Sequence, residues 1–199
     1  MIHPLPLFPP VFPTGKWWTY RLQGLVDGLG TEESCMEANK KSGLKSREWM
    51  RGEVEDRSGG AVMLSVPVVH GASALKNQAP ATWRIADDKV NLRKLADTLR
   101  TLYGHTPYFN HLFPELRMVD MAGLEASEAC RRVDDAILRF LGFSNVSLLN
   151  SARRADLSDS RYSSAIARMK DYNPSLCVLD LLFRHGPQAI IKLLSTLEE

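Results

Sequence analysis

The sequence predicts an α/β fold: a single domain over residues 1–199, with a mixed β-sheet covered by helices. Three observations carry that expectation. Ala61 to Val69 (AVMLSVPVV) is a near-unbroken apolar run after the turn signal Ser58-Gly59-Gly60, the pattern of an interior strand buried on both faces. Val90, Leu92, Leu95, Ala96, Leu99, Leu102 and Tyr103 recur at helical spacing, while Arg93, Lys94, Asp97 and Arg100 fall on the opposite face. Strand and helix patterns alternate with no linker, internal repeat or low-complexity tract between them.

Taken in order, the stretch through Pro13 carries too many prolines for a central strand. After Thr14-Gly15, the aromatic-rich Lys16 to Leu22 reads as a short helix. Cys35 to Arg57 is polar and cationic, and is expected to form two short strands, or a loop and a strand. Pro67 marks the end or edge of the apolar strand, and His70 to Pro80 reads as a loop. The amphipathic helix from Val90 stops at Gly104 and Pro107. A further helix is expected from about Glu125 to Leu141, capped by Ser127 or a neighbour, with Val133, Ile137, Phe140 and Leu141 on its apolar face. Val146 to Leu149 reads as a short strand and Ser151 to Ser164 as a polar loop.

The end of the chain is the most sharply punctuated. Asn173 and Pro174 suit a helix start, and Leu176, Leu179, Leu182 and Phe183 form its apolar stripe. Gly186 supplies the left-handed residue that ends a helix, and Pro187 can open the next. Asp180 is the one acid inside the stripe. A carboxylate is expensive to bury alone, so it should be largely buried and meet an arginine, a backbone amide or water, as an anchor or as a ligand contact.

With 199 residues, 44% hydrophobic and 24% charged, the chain is long enough for one sizeable core. A formal net charge of +2 offers no concentrated basic face, so no nucleic-acid partner is expected. The start lacks a basic targeting region, and no run approaches the ~20 apolar residues of a membrane helix. Three widely spaced cysteines, Cys35, Cys130 and Cys177, suggest reduced thiols. The expectation is a cytoplasmic protein without membrane insertion.

Phosphate-loop, dinucleotide and nucleophile-elbow motifs are missing. The five histidines, His3, His70, His105, His111 and His185, show no paired metal spacing, so no metal is expected. Nothing in the sequence names a cofactor or an oligomeric state. The segment Leu102 to Leu112 (LYGHTPYFNHL) is the richest in candidates, because a helix stop and a proline turn project Tyr103, His105, Tyr108 and His111 from a fixed corner. Flat aromatic faces suit sugar rings and nucleobases; Tyr103, Tyr108 and Phe109 could equally plug the core at a helix end. The cationic segment Lys40 to Arg57, with Arg47 and Arg51 as its leading candidates, could receive a diphosphate or remain a solvated surface. Trp83 offers either a stacking face or a staple over the core.

The terminal segment Leu179-Asp-Leu-Leu-Phe183 with Gly186-Pro187 resembles the WbqC-like family, a group associated with bacterial surface-polysaccharide gene clusters. The chain is similar to that family also at Pro9-Pro10, at Leu64-Ser-Val-Pro-Val68 and at Tyr103…Thr106-Pro107-Tyr108-Phe109, in the family's order. It departs where family members commonly carry a histidine-containing polar strand and an Arg-Asn-Arg element. The corresponding region here reads Met36 to Lys41 and then Arg47 to Arg51, leaving Glu37 and Arg51 as the partners that survive. A family His-Trp pair ahead of Tyr103 is replaced by Leu95-Ala96. No acid–base role can be carried over for histidines that are absent.

The resemblance implies a protein of surface-polysaccharide (lipopolysaccharide or O-antigen type) biosynthesis or sugar modification, a possible transferase acting on a nucleotide-sugar or glycan precursor. Two alternatives stay open: a non-catalytic binding or scaffold protein of the same fold, and an acyl- or aminoacyl-transferase acting on sugars. The candidate binding residues are Tyr103, His105, Tyr108, Arg47, Arg51, Trp83 and Asp180.

Overall fold

The computed structural model describes residues 9–43, 45–70, 82–142, 169, 172–189 and 192–193. Helix α1, Gly15–Val26, starts at Thr14, whose Oγ1 accepts a hydrogen bond from Trp17 N at 3.1 Å. It is longer than the aromatic segment implies and buries Trp17, Trp18, Arg21 and Leu22. Helix α2, Thr31–Ser42, stands where strands or a loop are expected, and corrects that reading. Its core-facing residues, Ser34, Cys35, Ala38 and Asn39, are small or polar, so no apolar stripe announces it. Acids open it (Glu32, Glu33) and lysines close it (Lys40, Lys41), in line with the helix dipole. The two helices approach so closely that a Cβ at Gly24 would come 2.9 Å from the Ser34 Cβ. The Trp17 indole N–H donates to Asn39 Oδ1 across this contact at 2.8 Å.

Strands β1, Arg51–Glu55, and β2, Ala61–Ser65, form an antiparallel hairpin with Arg51 opposite Ser65 and Glu55 opposite Ala61. The α/β character of the sequence reading stands; the sheet itself is these two strands alone among the described residues. The expected interior strand is corrected. In β2 only Leu64 is buried, Ala61, Met63 and Ser65 are exposed, and Val62 is half-buried. A two-stranded ribbon covers one face, so the apolar run records a half-buried edge and a buried Val66 beyond it, rather than a central strand. Val68 then bridges to Ile85, and Arg84 to Glu125.

Helix α3, Lys89–Tyr103, is capped by Asp88, whose Oδ1 accepts from Asn91 N at 3.0 Å. It buries Leu92, Leu95, Ala96, Leu99 and Tyr103, whereas Val90, expected in the stripe, is 61% exposed at its first turn. One helical turn, α4 (Phe109–Leu112), and two 3₁₀ turns lead to α5, Ala126–Phe140. The cap of α5 is Glu125 backbone, with no side-chain hydrogen bond from Ser127 or any neighbour.

Helix α6, Val178–His185, begins after Cys177, four residues later than its sequence signals suggest. Asn173 spends its side chain in a turn, accepting from Ser175 N at 2.9 Å. Gly186 at φ +64° ends α6, and a Cβ there would press into the Tyr108 ring. Cys177 N donates to Glu53 O and Val178 N to Pro13 O, tying α6 to β1 and to the chain before α1. The buried residues, including Trp17, Trp18, Trp49, Trp83, Leu99, Val133, Ile137, Leu182 and Phe183, form one cluster. The expected strand Val146–Leu149 and the loops 71–80 and 151–164 lie outside the described residues.

A buried ion pair locks the helical half. Arg21 on α1, fully buried, reaches Asp134 Oδ2 on α5 at 2.9 Å and also bonds Ser34 Oγ on α2. Removing one partner of such a pair strands a buried charge, which costs far more than losing an exposed pair. Asp134→Ala should therefore lower unfolding stability by about 3–5 kcal/mol. Arg132→Ala, which breaks the exposed bridge to Glu128, should cost under ~1 kcal/mol in the same urea titration. Comparable losses would show that Arg21 is solvated after all.

Candidate functional site

Three elements converge at the far end of the hairpin. The last residue of β1 supplies Glu55, the end of α3 supplies Tyr103 and the corner residue His105, and α6 supplies Asp180 and Arg184. Asp180 is 6% exposed, as its place in an apolar stripe requires, and it is hydrogen-bonded. Its Oδ1 accepts from the Tyr103 hydroxyl at 2.7 Å and from Arg184 Nε at 3.0 Å. Arg184 Nη2 donates to Glu55 Oε2 at 2.8 Å, and the guanidinium lies 5.8 Å from the centre of the Tyr103 ring. One arginine thus joins two carboxylates while covering the tyrosine that anchors one of them.

Burial, and then the Asp180 carboxylate, push the Tyr103 hydroxyl far above its ordinary range, so it stays protonated and acts as a donor. Burial opposes the Arg184 charge, but Asp180 and Glu55 more than offset it and raise its pKa. The hydroxyl of Tyr172 is buried with no hydrogen-bond partner among the described residues.

Two adjoining cavities open around this network and share Glu55, His105 and Arg184. The inner one, about 390 Å³, is also lined by Thr106, Pro107, Tyr172, Asp180, Leu181 and His185. The outer one, about 520 Å³, is lined by Asp56, Arg57, Gly59 and Leu102. Both volumes are of the size that holds a small ligand. Asp56 is committed to its own turn: Oδ1 accepts from Ser58 Oγ, Ser58 N and Gly60 N at 2.7–2.8 Å, which holds its carboxyl below the usual range.

The sequence candidates separate. Tyr103 and Asp180 form the network and His105 sits exposed between the two cavities. Tyr108 packs on Phe140 and against Gly186 and lines neither cavity. Trp83 is buried, its indole N–H unpartnered, in the staple role rather than as a stacking face. Arg51 lines a different groove of about 470 Å³ with Pro10, Phe12, Glu48, Glu53 and Met63, which shares no residue with the two cavities. Arg47 lies in the 3₁₀ turn Ser46–Met50. Among the described side chains the basic segment is therefore not one phosphate-facing surface: Lys40 and Lys41 close α2, Arg51 is on β1, and Arg57 lines the cleft. A helix, a turn and a strand divide the segment between different elements. Sequence reasoning missed Glu55, Tyr172 and Arg184, and named Arg57 only as the end of the cationic segment. For Arg184 a signal existed, since an acid four residues before an arginine on one helix is a favoured pair.

Two predictions follow the burial pattern. Asp180→Ala should cost about 1–3 kcal/mol in urea unfolding, and Asp180→Asn less, because the amide oxygen still accepts from Tyr103. Equal losses would show that the Tyr103 hydroxyl does not depend on that oxygen. Cys35, Cys130 and Cys177 are buried free thiols, and burial pushes Cys35 and Cys177 up to about 12. At pH 8 only about one such thiol in ten thousand is ionised. Disulfide reagents should therefore label none of the three in the native protein and all of them in denaturant; rapid native labelling would contradict the burial.

The model of the WbqC-like protein family matches residues 42–166. The match takes in the Leu64–Val68 strand end and the Tyr103–Phe109 corner, while Pro9-Pro10 and the Leu179–Pro187 segment lie beyond it. No curated protein and no solved structure matches. Among the described residues, no helix is long and apolar enough to cross a membrane, and no group of three or more His, Cys, Asp or Glu stands close enough to hold a metal ion. With more than half of its length matched, the chain belongs to the WbqC-like protein family.

Proposed function

We propose that this protein acts in the cytoplasm in the assembly or modification of a surface polysaccharide, and binds a sugar-bearing precursor in the cleft between the hairpin turn, the corner after α3, and α6. The polysaccharide setting rests on the family's association. The binding reading rests on one observation: the carboxylates of Glu55, Asp56 and Asp180, the guanidinium groups of Arg57 and Arg184, and two histidines from three parts of the fold line adjoining cavities. Sugars present dense hydroxyls that both donate and accept, and paired carboxylate and guanidinium groups answer both needs.

A second reading, binding without chemistry, is favoured by the way Tyr103, Asp180, Arg184 and Glu55 satisfy one another. An acyl- or aminoacyl-transfer reading that uses a cysteine nucleophile gains no support from thiols that are buried and held protonated. Thermal shift separates the two sugar-binding readings from the acyl-transfer one. UDP-glucose, UDP-N-acetylglucosamine, GDP-mannose and dTDP-glucose should include at least one that raises the melting temperature, whereas coenzyme A derivatives should not. His105→Ala, at an exposed position shared by both cavities, should abolish the shift and leave the unliganded melting temperature unchanged. A shift from none of these sugars would remove the binding reading.

A further inference from the structure

Two elements run from the cleft to the groove that holds Arg51, although groove and cleft have no lining residue in common. The first is β1. Arg51 and Glu53 are exposed and Glu55 is half-buried, whereas Val54 is buried, so alternation puts Arg51, Glu53 and Glu55 on the outer face of the ribbon. Glu55 lines both cavities of the cleft, and Arg51 and Glu53 line the groove. At ~3.3 Å per residue these three positions span ~13 Å of strand. The second element is the segment before α6, where Tyr172 lines the inner cavity and Ser175 lines the groove. A backbone hydrogen bond from Cys177 N to Glu53 O at 2.6 Å holds this part of the chain against the edge of β1 that faces away from β2. Cleft and groove are thus successive stretches of one trough, with the ribbon as floor and residues 172–175 as a wall.

The groove has open groups of both kinds. The side chains of Arg51 and Glu53 make no hydrogen bond or ion pair among the described residues, either with each other or with a neighbour. Glu48 gives Oε2 to Lys45 N at 2.8 Å and keeps Oε1 open among those residues. Met63, across the ribbon from Glu53 and 53% exposed, adds apolar surface beside Pro10 and Phe12. A phosphate here would meet two carboxylates beside one guanidinium. A sugar ring uses every one of these groups, because its hydroxyls donate and accept and its C–H face is apolar.

We infer that the groove is a second sugar subsite, and that the trough takes an oligosaccharide chain laid along β1. One end of the chain occupies the cleft, and the residues beyond it rest on Arg51, Glu53 and Met63. The inference rests on the sugar-binding reading above and adds a site, the need for a chain, and the path the chain follows. It also gives Arg51 a role that its distance from the cleft residues otherwise leaves empty. A single sugar fills only the cleft, so affinity grows with chain length until the groove is reached.

The test is calorimetric titration of the full chain with maltose, cellobiose, mannobiose and chitobiose, and with the pentasaccharide of each series. UDP-glucose, UDP-N-acetylglucosamine, GDP-mannose and dTDP-glucose serve as ligands that reach the cleft alone. At least one pentasaccharide should bind roughly tenfold or more tightly than its own disaccharide, the gain expected from a few added hydrogen bonds. Arg51→Gln and Glu53→Gln should each remove most of that gain and leave the binding of disaccharides and nucleotide-sugars unchanged. His105→Ala, at the cleft, should weaken short and long ligands alike. Arg51 and Glu53 are exposed, so neither substitution threatens the fold, and circular dichroism checks this. Equal affinity for pentasaccharide and disaccharide in every series overturns the inference, as does a length gain that survives both substitutions. If nucleotide-sugars bind in either of those cases, the sugar-binding reading stands and only the trough is lost. A wild type that binds none of the sugars, short, long or nucleotide-linked, defeats both.

Discussion

Burying the Asp180 carboxylate inside an otherwise apolar helix face is the constraint on which the cleft depends. The charge is tolerable only if strong donors are brought to it from outside the helix's own apolar neighbours. Tyr103 arrives from the end of α3 and Arg184 from one turn further along α6, and Arg184 is in turn held by Glu55 from the end of β1. Three segments distant in sequence are thereby placed side by side. The Tyr103 ring also packs on Phe183, with centres 5.2 Å apart, so the polar network and the core share one side chain. Small shifts of α6 against α3 would break both at once.

The other buried charge does a different job. Arg21 links α1, α2 and α5 through Ser34 and Asp134, under a layer that includes Trp17 and Trp18. A fully buried arginine with a carboxylate partner adds little net stability over a well-packed apolar substitute, but it specifies how the three helices meet. Neither Arg21 nor Asp134 lines the cavity that Asp180 lines. One ion pair fixes the helical packing; the other, at the edge of the core, presents an oxygen and guanidinium nitrogens to the cleft.

The chemistry available in the cleft follows from which groups remain free. Tyr103 is a committed donor, the cysteines are buried and protonated, and Asp56 is tied into its turn. Among the described residues, the groups lining the cleft with capacity to spare include Asp180 Oδ2, Asp56 Oδ2, Glu55 Oε1, Arg57, one nitrogen of Arg184 and the exposed His105. A hydroxyl hydrogen-bonded to Asp180 Oδ2 would also stand beside a base, so the same placement can serve recognition alone or a transfer step at that hydroxyl.

The amphipathic helices were legible because their periodicity is local: the stripe of Leu92, Leu95, Ala96 and Leu99, and that of Val133 and Ile137, follow from 3.6 residues per turn. The stop at Gly186 was legible for a similar reason, as only the backbone at that residue is at issue. That Asp180 must be paired followed from its residue type among apolar neighbours. Helix α2 was not legible, since its inward face of Ser34, Cys35, Ala38 and Asn39 is polar or small, and its burial is created by Trp17, Arg21 and Gly24 across from it. Nor could the run from Ala61 to Val69 reveal its own exposure, because the number of strands beside it is not a property of the run. The sequence by itself determined which residue types needed partners; tertiary structure alone decided that Glu55 and Arg184, rather than Arg51, stand beside Tyr103 and Asp180. The physical reason is that a hydrogen bond depends on a few tenths of an ångström between atoms far apart in the chain, and only the folded packing sets that distance.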